Sequence, residues 1–197
     1  MAIKFQYNKT SLQTLNKSLK MRNMALPIIK NKESALRLEV KRTKHTYTTS
    51  LELQKEEQKK LEKYKPLWGQ FDFDLVQTDE IKLTNKKIAG VRIPILEDVT
   101  FKTPKVFWFN QWVWVSEALI DLRKLSKLQI ETRVLKLQLD TLERERKRTT
   151  QKVNLYEKVQ IPEIETGIKK IKRFLEDEEN LSKAAQKMVK SRNSQAA

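Results

Sequence analysis

With 197 residues, a formal charge of +16, 34% charged residues, three glycines and five prolines, the chain has the composition of long helices rather than sheets. A mean hydropathy of −0.66 leaves little apolar material for a large core and favours an elongated body. No cysteine is present, which excludes disulfide frameworks, Cys-based zinc sites and thiol catalysis.

The opening residues, MAIKFQYNKT, lack the apolar stretch of a secretory signal. The most apolar run, Val106 to Val115, is half the length that a membrane-spanning helix needs. A soluble chain is expected, without direct membrane insertion. Charge is unevenly placed: residues 1–64 carry +9, residues 65–117 carry zero, and residues 118–197 carry +7. Two basic arms flanking a neutral middle suit polyanions or an acidic protein surface.

The first arm is predicted to be a helix starting near Thr10 or Ser11, both good N-caps. From Leu12 a heptad series runs through Leu15, Leu19, Arg22, Leu26, Ile29, Glu33, Leu36 and Val40. It continues through Thr43, Tyr47, Ser50, Gln54, Glu57, Leu61 and Tyr64, and ten of the sixteen positions are apolar or aromatic. The polar positions from Thr43 to Glu57 predict a looser seam, or a surface covered by another protein. Pro27 deletes a backbone hydrogen bond and predicts a kink, and Pro66 ends the helix.

In residues 65–115 the character changes. Leu67, Trp68, Phe71, Phe73 and Leu75 read as an aromatic-rich loop or short helical piece. Ile81–Thr84 and Lys86–Ile95 read as short strands around a polar turn at Asn85, with a further pairing near Val99–Lys102. Gly90 inside the second strand predicts a bulge or close backbone approach, and Pro94 an edge position. So small a sheet must rest on the helices as a flap or tip. Phe107, Trp108, Phe109, Trp112 and Trp114 are expected to pack that flap onto the helix ends. An exposed docking patch and a base-stacking platform are the alternatives.

The second arm starts near Ser116 or Glu117. Leu125, Leu128, Leu135, Leu139, Leu142, Val153 and Tyr156 share one heptad phase. The next position would be Gln160, yet the apolar residue is Ile161, and Ile164, Ile168, Ile171 and Leu175 follow at helical spacing. The register slips by one beside Pro162, which predicts a local kink or altered supercoil within a helix reaching about Lys190. The expected fold is mainly α: a long two-helix antiparallel coiled coil with a small β-hairpin flap between the helices. It forms one elongated body, divided as 1–64, 65–115 and 116–197.

Phosphate loops, dinucleotide fingerprints, zinc-protease motifs and EF-hand spacings are all missing from the sequence. His45 has no ligand companion, and Glu163 and Glu165 lie two apart, on different helix faces. The acidic run Glu176–Glu179 reads as a solvated face. Neither a catalytic residue set nor a cofactor or metal site is expected.

Three segments carry a family resemblance: NKTSLQTLNKSL followed by IIKNKESAL; VRIPILE, spanning Val91 and Pro94, with Gly90 ahead of it; and VNLYEKVQIPEIETGIKKI, containing Ile161-Pro162. In order and separation they resemble the D subunits of the V-type and A-type rotary ATPases, the rotor component of the central stalk. Pro27 and the rich aromatic run from Phe107 to Trp114 depart from that pattern. The resemblance implies a non-catalytic axle that transmits torque between a nucleotide-hydrolysing or -synthesising hexamer and a membrane ion-translocating ring. It implies as partners the catalytic and non-catalytic ring subunits (A and B), the small F protein of the stalk, and the component capping the rotor ring. A cytoplasmic place, peripheral to the membrane, follows, with the hairpin near residues 79–102 implicated in stimulating ATPase activity.

Lys4, Lys9, Lys17, Lys20, Arg22, Lys183, Lys187, Lys190 and Arg192 are expected to gather at one basic end that faces acidic loops of the ring. Two alternatives remain. The stalk of an export ATPase is also a basic coiled coil, although such a stalk needs no middle of about 50 residues. A basic coiled coil can also bind nucleic acid through phosphates, but these bases are interspersed with acids and lack a base-reading element.

Overall fold

The computed structural model describes residues 5–102 and 112–195. Helix α1 runs Lys9–Leu61, strand β1 Thr78–Ile88, strand β2 Val91–Phe101, helix α2 Val113–Leu155 and helix α3 Ile161–Gln195. A five-residue π turn, Tyr156–Gln160, joins α2 to α3, and 3₁₀ turns at Glu62–Gln70 and Phe73–Val76 lead from α1 to the strands. The architecture is therefore two long helical stretches with a two-stranded antiparallel hairpin between them.

The start of α1 is set slightly earlier than Thr10 or Ser11. The Asn8 side chain accepts from the Ser11 amide at 2.7 Å, and the Ser11 hydroxyl accepts from the Gln6 amide at 3.3 Å. This reciprocal capping satisfies donors that an uncapped helix would leave to water. The helix is continuous through Pro27. It gives way to 3₁₀ geometry at Glu62, so Pro66 sits inside the tighter turn instead of ending the α-helix.

The hairpin differs from its sequence reading. There are two strands of 11 residues each, and Asn85 lies mid-strand opposite Pro94. The turn is Ala89-Gly90, both at positive φ (48° and 80°), which is the backbone a tight hairpin turn requires. Gly90 meets that demand without strain, whereas Ala89 costs about 1–2 kcal/mol. The bulge predicted at Gly90 falls elsewhere, with register shifts at Thr78/Glu80 and Lys82/Leu83.

The chain forms two compact units. One gathers the described residues up to Lys32 with those from Arg148 onward; the other comprises the described residues of Glu33–Lys147. In the first, Leu15, Ile164, Ile168 and Ile171 form a buried cluster flanked by Phe5, Leu12, Leu19 and Leu175. The helices run antiparallel there: Arg22 Nε donates to Gln160 Oε1 at 2.8 Å, and Lys30 Nζ to Glu157 Oε1 at 2.7 Å. Gly167 allows a close approach, since a Cβ would stand 3.2 Å from Phe5 Cε1 and 3.4 Å from Leu15 Cδ1. Phe5 continues through Tyr7 to Phe174, with ring centroids 5.6 and 5.0 Å apart.

The second unit has two clusters. Leu36, Val40 and Leu142 pack with Val91 and Ile93 of β2. Leu61, Tyr64, Phe71, Leu75, Val115, Ala118, Leu119 and Leu125 pack where α1 leaves and α2 enters. Full burial of each such aliphatic or aromatic side chain contributes about 1.5–3 kcal/mol.

Between these clusters the seam is polar yet closed, not loose. Thr43 and Ser50 are buried, and Ser50 Oγ lies 2.8 Å from Thr132 Oγ1. Thr132 gives its single proton to the Leu128 carbonyl at 2.7 Å. Ser50 is therefore the donor to Thr132. Ser50→Ala is expected to cost about 1 kcal/mol, with Thr132→Val similar; the double variant should cost less than the sum in urea unfolding, because it strands no buried partner.

Candidate interaction surfaces

The predicted seam residues occupy interior or half-interior positions. Leu15, Leu36, Val40, Leu142, Ile164, Ile168 and Ile171 are buried, while Leu12, Leu19, Ile29, Leu135, Leu139 and Leu175 are half-buried. All sixteen positions of the α1 heptad series, polar ones included, are buried or half-buried. The π turn explains how α3 keeps its apolar face inward despite the one-residue slip. The Ile161 amide reaches back five residues to the Tyr156 carbonyl, so the extra residue is absorbed locally. Pro162 follows at once, where the widened turn spares its ring the clash with the carbonyl four residues back.

The basic residues fall into different settings. Arg22 is half-buried and is engaged by Gln160 and by the Ser18 carbonyl at 3.3 Å. Lys9 shares a groove with Leu175, Glu176 and Glu179, so the acidic run of α3 faces the start of α1. Lys183 pairs with Glu179 at 2.8 Å. This contact, ahead of the weaker field of Lys9, holds the Glu179 carboxyl below its ordinary value. Lys17, Lys20, Lys187, Lys190 and Arg192 are exposed, with no ion pair among the described residues. From Glu176 to Ser194 every residue of α3 is exposed, including Leu181, Met188 and Val189. Lys4 lies outside the described residues.

The hairpin is mounted against the helices by contacts that no local pattern in the sequence announces. Gln138 Nε2 donates to the Pro94 carbonyl at 2.6 Å, and Arg123 donates to the Lys102 carbonyl at 3.0 Å. Arg123 also stands over the Phe101 ring at 5.6 Å. Val91 and Ile93 are buried on the turn side of these anchors, while β1 is exposed along nearly its whole length. Aliphatic residues of β2 therefore seat the hairpin. The described aromatics do a different job: Tyr64, Trp68, Phe71 and Trp114 stack on one another with centroids 5.4–6.5 Å apart and close the α1–α2 junction. Phe73 is exposed at the border of this group, 5.3 Å from Phe71 and 6.0 Å from Trp68, and Trp112 is exposed. Phe107, Trp108 and Phe109 lie outside the described residues.

At the same junction Lys63 Nζ stands 3.2 Å from Glu117 Oε1 and 3.6 Å from Asp121 Oδ2. The hydrogen bond from Lys63, and then its charge, hold the Glu117 carboxyl below the ordinary 4.5. A carboxyl depressed in the folded chain stabilises it above the unfolded value and ceases to do so as pH falls through the folded one. Titration of Glu117 by NMR should give a midpoint below 4.5, and Lys63→Met should return it towards that value.

Comparison with known proteins extends along nearly the whole chain. The family model described as that of the ATP synthase D subunit matches residues 11–191. The chain belongs to the ATP synthase D-subunit family. It is similar to the V-type ATP synthase D subunit of Borreliella burgdorferi, at 29% identity over 194 residues, covering 95% of this chain and 94% of that protein. It is likewise similar to the V-type ATP synthase D subunit of Chlamydia trachomatis, at 26% over 199 residues, covering 98% and 97%. The protein of that name from Chlamydia pneumoniae is 32% identical over 107 residues, covering 54% and 51%. In this family member Gly90 forms the hairpin turn, Val91 and Pro94 seat β2, and Ile161-Pro162 follows the π turn. Among the described residues no helix is long and apolar enough to cross a membrane.

Proposed function

We propose that this chain is the non-catalytic central-stalk component of a V-type or A-type rotary ATPase, carrying torque between the nucleotide-processing hexamer and the membrane ion-translocating ring. The observation that carries the reading is the family match over residues 11–191 on a frame of two long helical stretches with a β-hairpin between them. Within each unit the aliphatic seam resists sliding of the paired helices, because a slip would expose Leu36 and Leu142 in one and Ile164 and Ile171 in the other. A torque-bearing element needs that resistance more than it needs a pocket.

In this reading the partners are the catalytic and non-catalytic ring subunits, the small F protein of the stalk and the component that caps the rotor ring. The complex is cytoplasmic and peripheral to the membrane. The exposed stretch of α3 beyond Leu175, with Lys183, Lys187, Lys190 and Arg192, is the part offered to the ring together with Lys9, Lys17 and Lys20. Arg22 serves the seam instead.

The test is co-purification with the cognate ring subunits and the small F protein, followed by ATPase assay with and without this chain. One copy per hexamer, with altered turnover, is the expected result. A well-folded chain that fails to join the ring would overturn the reading.

A further inference from the structure

The charge of the middle region, zero in total, is segregated along the hairpin. Between Ile81 and Leu96 stand four bases, Lys82, Lys86, Lys87 and Arg92, and no acid. Asp79, Glu80, Glu97 and Asp98 lie at the other end of the same ribbon, where Lys82 is spoken for by Glu80 at 3.8 Å. At the tip, Lys87 and Arg92 are direct cross-strand partners. Val91 and Ile93 face the helices, so alternation turns Arg92, and Lys87 opposite it, to the outward face. Both cations are exposed, and neither has an ion pair among the described residues. Lys86, opposite the buried Ile93, belongs to the other face and lines a groove with Glu39, Arg42 and Gln138.

Like charges directly opposed across a ribbon destabilise it. Lysines along β1 are accounted for as guards of an open strand edge, together with the bulge at Lys82/Leu83. Arg92 is not, because α2 reaches the outer side of β2 through Gln138 at the neighbouring Pro94. The same bulge and lysines disfavour addition of a partner strand to β1. What remains is a rigidly mounted, outward-facing cationic pair that lacks a counter-charge among the described residues.

We propose that the Lys87–Arg92 face of the hairpin tip is a docking surface for a carboxylate-rich face of another protein of the rotary complex. The proposal rests on the rotor reading above. Its specificity is electrostatic: an acidic partner relieves the Lys87–Arg92 repulsion on contact, so binding strengthens as salt falls.

The test compares the full-length chain with Lys87→Glu/Arg92→Glu and with the milder Lys87→Gln/Arg92→Gln. Both substituted positions are exposed, and circular dichroism checks that each variant folds. Affinity for the cognate ring with the small F protein is measured at low and high salt. Amide exchange at residues 86–92 is followed free and in the complex. We expect the glutamate pair to weaken binding by about tenfold at low salt, the glutamine pair to fall between, the gap to close at high salt, and tip amides to be protected on assembly. Unchanged affinity with an unprotected tip would overturn the proposal while leaving the rotor reading intact. Failure of the wild-type chain to join the ring would overturn both. Binding of the wild-type chain to phosphatidylserine vesicles that the glutamate pair abolishes, with ring affinity unchanged, would assign the face to a membrane and overturn the proposal as well.

Discussion

Replacing Ile171 by alanine should lower the free energy of unfolding by about 2–5 kcal/mol. Ile171 is fully buried among Leu15, Ile164 and Ile168, and the cluster draws on both α1 and α3. Truncation removes the transfer free energy of the deleted methyl and methylene groups and leaves a cavity that two stiff helices collapse around poorly. Urea unfolding would give the magnitude, and amide exchange would locate it. Protection should fall first at residues 12–19 and 161–175, because those segments share the cluster. Ile171→Val, which keeps most of the volume, should cost about 0.5–1.5 kcal/mol. An alanine variant as stable as the parent would mean that the α1–α3 seam is not closed by these residues.

Removing Val159 from the π turn separates two explanations of that turn. The deletion converts Tyr156–Gln160 to ordinary α-helix and keeps Ile164, Ile168 and Ile171 facing Leu15, since the apolar phase is then unbroken. It also places the Pro162 ring against the carbonyl four residues back, at a cost of about 3 kcal/mol. The same deletion in a Pro162→Ala chain should therefore cost less than about 1 kcal/mol, and a double-mutant cycle by thermal unfolding measures the difference. Deleting Arg133 is the control. It rotates the following segment by about 100°, turning Gln138 away from Pro94 and Leu142 from Leu36, and should abolish cooperative folding of that unit. Equal costs for the two single deletions would refute the reading of the π turn as an absorber of the extra residue.

Legibility in the sequence followed the range of the interactions. The helical stretches were readable because apolar recurrence at three and four residues is a local consequence of helix geometry, and the misfit at Gln160-Ile161 was visible in the same count. A resemblance carried by three separated segments pointed to the family. The hairpin was half readable. Its β-branched residues announced strands, but Asn85 offered a stronger polar turn signal than Ala89-Gly90. The misplacement arose because the pairing of Lys87 with Arg92 and of Asn85 with Pro94 is set by where Val91 and Ile93 find the helices. Gln138, Arg123 and Ser50 were not readable at all, since each is an unremarkable polar residue until a distant backbone or hydroxyl comes within reach.

By itself the sequence determined helix content, the two seams, the place of the register slip and the imbalance of charge. These depend on spacing within one segment, which no folding step alters. The tertiary structure decided which buried hydroxyls pair, what seats the hairpin and where its cations point. Those outcomes depend on atoms 21 to 82 residues apart in the chain, whose approach is governed by packing as a whole and leaves no periodic trace in either partner's neighbourhood.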